Sequence, residues 1–437
     1  MKKTLLVLAA MFFCLAFSGC TVFETDTEAL MKPPVFTEEQ EKLNSALANI
    51  LGESYVLKYP ENGETNSAFV FRDLDGDGTE EAMAFYSLLD DNTRINILKK
   101  EKDGWVSVCE APGFYGEIKS VDFAETEKDC CLIVIKWEQE IGIYSYSEER
   151  LGTIHKAPCE GADIADIDGN GFSEIVIFSG SATGRSVVSI VYATGKNVSV
   201  TEDISVHAVY DRIFAKTTGK IEDGRTMYFL DSEIYDGVYL TEMISLEEGT
   251  AKRYFIADFV ESEPEERVDN EGLVSVGAYG KRRIFLRNTK AFCLDTNHDG
   301  ITEMPVEYRE DYAHEASEEM FFLQFMQFDG KESKPVWNGV ANPESGYLFE
   351  VPESWNEKFE IKTGSSADEF LFIEKGTGET VFVIFAVSKN DYQDKYEDYL
   401  FAAENETKNY YVKSYLEPEN DSYIEPETFG ERFIFIG

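Results

Sequence analysis

Asp73, Asp75, Asp77 and Glu81 stand at positions 1, 3, 5 and 9 of a nonapeptide, Asp73-Leu-Asp75-Gly-Asp77-Gly-Thr79-Glu-Glu81. The chain writes it twice more, as Asp166-Ile-Asp168-Gly-Asn170-Gly-Phe172-Ser-Glu174 and Asp295-Thr-Asn297-His-Asp299-Gly-Ile301-Thr-Glu303. Carboxylates this dense repel one another unless a cation sits among them, and hard oxygen donors in this number favour calcium. Alternate side chains of a tight loop point inward. The predicted ligands are therefore Asp73, Asp75 and Asp77, then Asp166, Asp168 and Asn170, then Asp295, Asn297 and Asp299. The backbone carbonyls of Thr79, Phe172 and Ile301 at position 7 add one oxygen each, and Glu81, Glu174 and Glu303 close the shells. Gly78, Gly171 and Gly300 at position 6 permit the turn that a Cβ would hinder. In an EF-hand the closing glutamate comes at position 12, between helices; here it comes at 9 and runs straight into β-type sequence. Up to three calcium ions are expected. The first loop has four carboxylates and the others three each, so it is expected to bind most tightly.

No other constellation carries chemistry. His155, His207, His298 and His314 are scattered, without a cysteine or second histidine at metal-ligand spacing. Ser179-Gly-Ser-Ala-Thr-Gly-Arg185 is Gly-rich, but it lacks both the nucleophile elbow and the lysine of a phosphate loop. Acids are too common to single out a hydrolytic pair. Cys109, Cys130, Cys131, Cys159 and Cys293 are odd in number and irregularly spaced, which is not a disulfide framework; one disulfide among them remains open. Cys109, Cys131 and Cys293 sit in apolar β-type segments as small hydrophobes.

The elements that must hold the loops are short strands. Ala68–Phe71 leads into the first loop, Ala82–Tyr86 leaves it, and Arg94–Leu98 pairs with Trp105–Cys109 in a hairpin. Four short strands ending in a hairpin make one propeller blade. Similar units run from about Ile118 to His155, Ala162 to Val200, Arg212 to Ile256, and Arg283 to Trp337. In the second of these five, acids at Glu125, Glu127 and Asp129 mark a loop that has lost its metal. A spacing of about 40 to 50 residues is that of propeller repeats. The fold class expected is mainly β: a propeller of five to seven blades over 53–338, then a small α+β domain over 340–437. That last segment has strands at Phe359–Thr363, Glu369–Glu374, Thr380–Val387, Tyr410–Tyr415 and Phe429–Ile436, with a helix-favouring stretch at Asp391–Ala403.

Phe71-Arg-Asp73-Leu-Asp75-Gly-Asp77-Gly and its two partners resemble the calcium loops of FG-GAP/VCBS repeats, the blades of integrin α-subunit heads and many bacterial surface proteins. The resemblance covers roughly Glu53 to Trp337 and implies calcium without naming a ligand. The Phe-Gly and Gly-Ala-Pro elements that name the repeat are not evident in these units. The opening Gly346-Tyr-Leu-Phe-Glu-Val-Pro352-Glu-Ser-Trp355 is similar to that of small PsbP-like domains.

Lys2 and Lys3, an apolar run from Leu5 to Phe17, and Ser18-Gly19-Cys20 read as an export signal over 1–19. The last of these resembles a lipobox, implying lipidation at Cys20 and, with the blades, VCBS-repeat lipoproteins of Firmicutes. The acidic stretch 20–36, with Pro33-Pro34, reads as a tether. Thr37 and Gln40 form a capping box for a short helix over 37–52, with an apolar stripe of Leu43, Leu47, Ile50 and Leu51 and a stop at Gly52. A net charge of −43 disfavours nucleic acid and anionic headgroups as partners. The membrane is therefore expected to be met through the N-terminal lipid alone. The reading is an exported, outward-facing, lipid-anchored binding or structural module whose partner is a surface protein or glycan. The alternative is an extracellular carbohydrate-active hydrolase or lyase with acids lining the propeller channel.

Overall fold

Glu81–Ser87, Glu174–Gly180 and Leu323–Phe328 are buried along nearly their whole lengths, the pattern of strands covered on both faces. The computed structural model in which they lie describes residues 36–436, apart from 53, 64–65, 91, 103, 128–129, 181–183, 196, 255–265, 269–273, 277–285, 309–319 and 392–397. The export signal, Cys20, and the tether up to residue 35 lie outside the described residues.

Among the described residues the chain is mainly β, with six sheets of four or five strands, antiparallel but for one short parallel pair, consistent with a propeller. The first sheet joins Phe69–Arg72, Glu81–Ser87, Asn92–Glu101 and Gly104–Tyr115, with Val56–Leu57 added beside Glu81–Ser87. The second runs through Ser120–Glu127, Cys130–Lys136, Glu140–Ser147 and Arg150–Pro158. Asn62–Gly63 lies parallel to its first strand, so the chain touches the second sheet between two strands of the first. The third holds Gly161–Ala165, Glu174–Gly180, Ser186–Thr194 and Asn197–Val200, with Ile204–Ser205 added. The fourth holds Ile213–Lys220, Thr226–Tyr235, Val238–Glu247 and Thr250–Tyr254.

The fifth sheet joins Met304–Glu307, Leu323–Phe328, Ser333–Asn342 and Tyr347–Glu350, and Phe433–Phe435 returns to complete it. The sixth, Phe359–Thr363 to Lys408–Ser414, has Leu400–Glu404 at its edge. Helix is thus not what the C-terminal part of Asp391–Ala403 forms; Leu400–Glu404 is a strand against Lys408–Ser414, and 392–397 lie outside the described residues. Pairing to a neighbouring strand overrode local helix propensity there. Likewise Val121–Ala124 does not open a loop. It lies inside Ser120–Glu127, which pairs with Cys130–Lys136 as far as Glu127 opposite Cys130, while Asp129 lies outside the described residues.

Successive sheets pack face to face. Val70, Met83, Phe85 and Ile97 of the first meet Val121, Phe123, Ile133 and Tyr144 of the second, while Leu132, Val134 and Ile143 on the second sheet's other face meet Ile175, Ile177 and Val191 of the third. Phe178 and Ile190 then meet Tyr228 and Leu230 of the fourth, whose Phe229 and Met243 meet Met304, Val306 and Met326 of the fifth. The first sheet's remaining face, with Phe69, Ala82 and Tyr86, is covered by helix α1 (Glu38–Leu51) through the fully buried Leu43 and Leu47. Thr37 and Gln40 cap this helix reciprocally at 3.2 and 3.0 Å. In the sixth sheet the core is aromatic: Trp355 packs edge-on against Phe359, Phe372 and Phe382 and donates its indole N–H to the Ser422 carbonyl at 3.0 Å.

Candidate metal centres

Each nonapeptide joins the first strand to the second in its sheet, or stands in the equivalent place. The residue before it pairs with its last: Arg72 with Glu81, Ala165 with Glu174, and Leu294 with Glu303. Within this frame the loops hydrogen-bond alike. Asp73 accepts the N–H groups of Gly76 and Gly78 at 2.8 and 2.9 Å, and Asp166 those of Gly169 and Gly171 at 2.8 and 2.9 Å. Asp295 accepts those of Asp299 and Gly300 at 3.1 and 2.8 Å. The side chain at position 3 (Asp75, Asp168, Asn297) takes the N–H of position 5 at 3.3, 3.0 and 3.1 Å. That at position 5 (Asp77, Asn170, Asp299) takes the N–H of Thr79, Phe172 and Ile301 at 2.8, 2.7 and 2.9 Å.

Position 6 is left-handed, with φ of 87°, 90° and 85°, as glycine there requires. Position 4 is left-handed as well, a need the sequence reading missed. Gly76 and Gly169 meet it at 73° and 78°, while His298 is held at 60°.

The closing glutamates are the buried members, with Glu81, Glu174 and Glu303 only 1%, 2% and 0% exposed. One carboxylate oxygen of each accepts the N–H of position 2, from Leu74, Ile167 and Thr296, at 2.9, 2.9 and 2.6 Å. Burial pushes all three carboxyls upward, Glu174 to about 7, and the neighbouring aspartates add to it. Asp168 is raised by burial too. Asp77 instead is held low by the Thr79 N–H, and Asp299 by the Gln327 amide.

Three acidic groups result, each with oxygens within 4.8 Å of one another, and each could hold a metal ion: Asp73, Asp75 and Glu81; Asp166, Asp168 and Glu174; Asp295, Asp299 and Glu303. The donor set fits a hard cation, since every available atom is oxygen and the buried carboxylate is costly without a positive partner. Asp77 is not part of the first group. The side-chain amides of Asn170 and Asn297 donate to Asp168 and Asp299 at 3.1 Å each.

The loops also sit at the seams between sheets. Ser173, at position 8 of the second loop, donates its N–H to the Glu125 carbonyl of the second sheet at 2.9 Å. Thr302, at position 8 of the third, donates to the Lys220 carbonyl of the fourth at 2.8 Å. Gly169 lies against Thr226 of the fourth sheet, where a Cβ would come 2.3 Å from the hydroxyl. Arg72 reaches Glu125 at 3.0 Å.

Two groups escaped sequence reasoning because they depend on strand register. One is the residue across from each closing glutamate: Lys99, Tyr192 and Gln327. The other is a buried polar cluster, where Arg287 and Asp231, 1% and 0% exposed, pair at 2.7 Å. Arg287 also bonds Thr241 at 3.0 Å, and Asp231 accepts the Cys293 N–H at 2.9 Å. This cluster ties the segment entering the third loop to the fourth sheet. Cys109, Cys131, Cys159 and Cys293 are free thiols.

No family model matches the chain, and no curated protein sequence matches it. Among solved structures, it is similar to Sqt1 of Saccharomyces cerevisiae at 8% identity and a TM-score of 0.31, over 82% of this chain and 99% of that one. It is similar to the WD40 domain of Toxoplasma gondii coronin at 10% identity and 0.25, over 87% and 92%. A protein from Lactobacillus plantarum gives 8% and 0.25, over 72% and 83%. TM-scores this low carry no argument, and the fold rests on the sheets themselves.

Proposed function

We propose that the chain is a calcium-binding surface module, in which ions at the nonapeptide loops fix the seams between sheets while the exposed faces meet a surface protein or glycan. The observation that carries this reading is the thrice-repeated buried glutamate, with one oxygen tied to the backbone and its carboxylate facing two aspartates. An ion there would neutralise charge that the fold has already taken out of water, and the spacing without EF-hand helices is that of FG-GAP/VCBS-type loops. Calcium would supply only charge and coordination. The chain's own part is to hold the oxygens and to transmit the loop's rigidity to the neighbouring sheet through Ser173 and Thr302.

Export and anchoring through Cys20 belong to the same reading, supported by the signal-like sequence that precedes it. Calcium titration of the chelator-treated protein tests the first half. Binding that raises the melting temperature is expected, and a protein that takes up no calcium and melts identically with and without chelator sinks the reading. A mass shift equal to a diacylglyceryl group, lost in Cys20→Ala, tests the second.

A further inference from the structure

The three loops differ in the residue that faces the closing glutamate from the next strand. Registers Ala82 to Leu98, Ile175 to Val191 and Met304 to Met326 put Lys99 opposite Glu81, Tyr192 opposite Glu174, and Gln327 opposite Glu303. The Lys99 ammonium stands 2.7 Å from Asp75 Oδ2, 3.5 Å from Glu81 Oε1 and 3.7 Å from Asp77 Oδ2. It therefore stands within ion-pair reach of positions 3, 5 and 9 at once, two of which, Asp75 and Glu81, belong to the first acidic group. Gln327 approaches the third loop as a neutral amide, its Nε2 2.6 Å from Asp299 Oδ2 and 2.9 Å from Glu303 Oε1. An amide can turn its oxygen toward a cation; an ammonium can only leave.

We propose that Lys99 is a tethered competitor for the first loop, making the loop richest in carboxylates the weakest calcium site of the three. Counting carboxylates alone ranks it first. That count omits a positive charge which the ion must displace, and which the strand keeps tethered beside the loop whatever the calcium concentration. The cost of uncovering Lys99 is charged to every binding event at this loop and to none at the other two. The inference rests on the calcium reading above and adds an order of filling: the loops of the third and fifth sheets fill first, and the loop of the first sheet last.

Calorimetric titration with calcium chloride on the chelator-treated full chain, Lys99→Gln, Lys99→Arg and Lys99→Gln/Asp73→Asn tests it. In the unmutated chain two tighter sites and one weaker are expected. Lys99→Gln should tighten the weaker site by about fivefold, the scale of losing one well-placed ion pair. The gain should vanish when Asp73→Asn disables the first loop, and Lys99→Arg, which keeps the charge, should leave the site weak. Circular dichroism of each variant establishes that it is folded. A first loop already tightest in the unmutated chain, or one unmoved by Lys99→Gln, overturns the role of Lys99 and leaves calcium binding intact. No uptake by any variant overturns the calcium reading itself.

Discussion

At the scale of residues, His298 is held in a conformation that its two counterparts meet with glycine. An L-residue there costs about 1–2 kcal/mol. His298→Gly is therefore expected to raise the melting temperature of the chelated protein by a few degrees, as differential scanning calorimetry would show, without altering the ligand set. Glu174 makes a second prediction. Its folded carboxyl is pushed up to about 7 from an ordinary value of 4.5, so the chelated fold holds this proton more tightly than the unfolded chain does. The sign follows: this group erodes the chelated protein's stability as pH rises from 4.5 toward about 7. Calcium requires the deprotonated form, so affinity at the second loop should climb across the same window and level off above it. Titrations at pH 5.5 and 7.5 giving equal affinity would refute this. Glu174→Gln, which can still accept the Ile167 N–H, should lose the site yet melt above the chelated parent at pH 8.

At the scale of elements, the acidic groups that could hold a metal lie, among the described residues, in loops of the first, third and fifth sheets and not in the second or fourth. In the second, Glu127 pairs with Cys130 across its first two strands, and in the fourth Arg225 pairs with Asp223 and Glu247 at 2.7 and 2.8 Å. Among the described residues, loops that could hold an ion thus alternate with hairpins joined by direct strand or side-chain pairing. At a hundredfold excess of calcium over its dissociation constant, each filled loop stabilises by about 2.7 kcal/mol. Glu303→Gln should remove one such increment from the calcium-dependent rise in melting temperature, leaving the chelated value near the parent's. The loops were legible in the sequence because their spacing is local. Strands were legible where apolar residues cluster, as at Ala82–Tyr86. Lys99, Gln327 and the Asp231–Arg287 pair were not, since each acquires its meaning only once register brings distant segments together. Leu400–Glu404 misled for the same reason: its partner, Lys408–Ser414, decides its conformation.

At the scale of the whole molecule, the stack of sheets runs from α1 to the aromatic core around Trp355, and the fifth sheet belongs to both its ends. Its strand Ser333–Asn342 runs across the 338–340 boundary expected between propeller and C-terminal domain. Trp355→Ala should cost about 3–5 kcal/mol in the sixth sheet. Calcium uptake at loops one and two should be unchanged, which calorimetry on the folded variant can verify. The fifth sheet carries a further consequence, one of timing. Met304–Glu307 begins it, yet Phe433–Phe435 completes it by pairing with Tyr347–Glu350, and every strand of the sixth sheet is laid down in between. During synthesis the sheets before it can finish in the order they are made. The fifth must wait, its edge at Tyr347–Glu350 open to mispairing until the chain has emerged as far as Phe433.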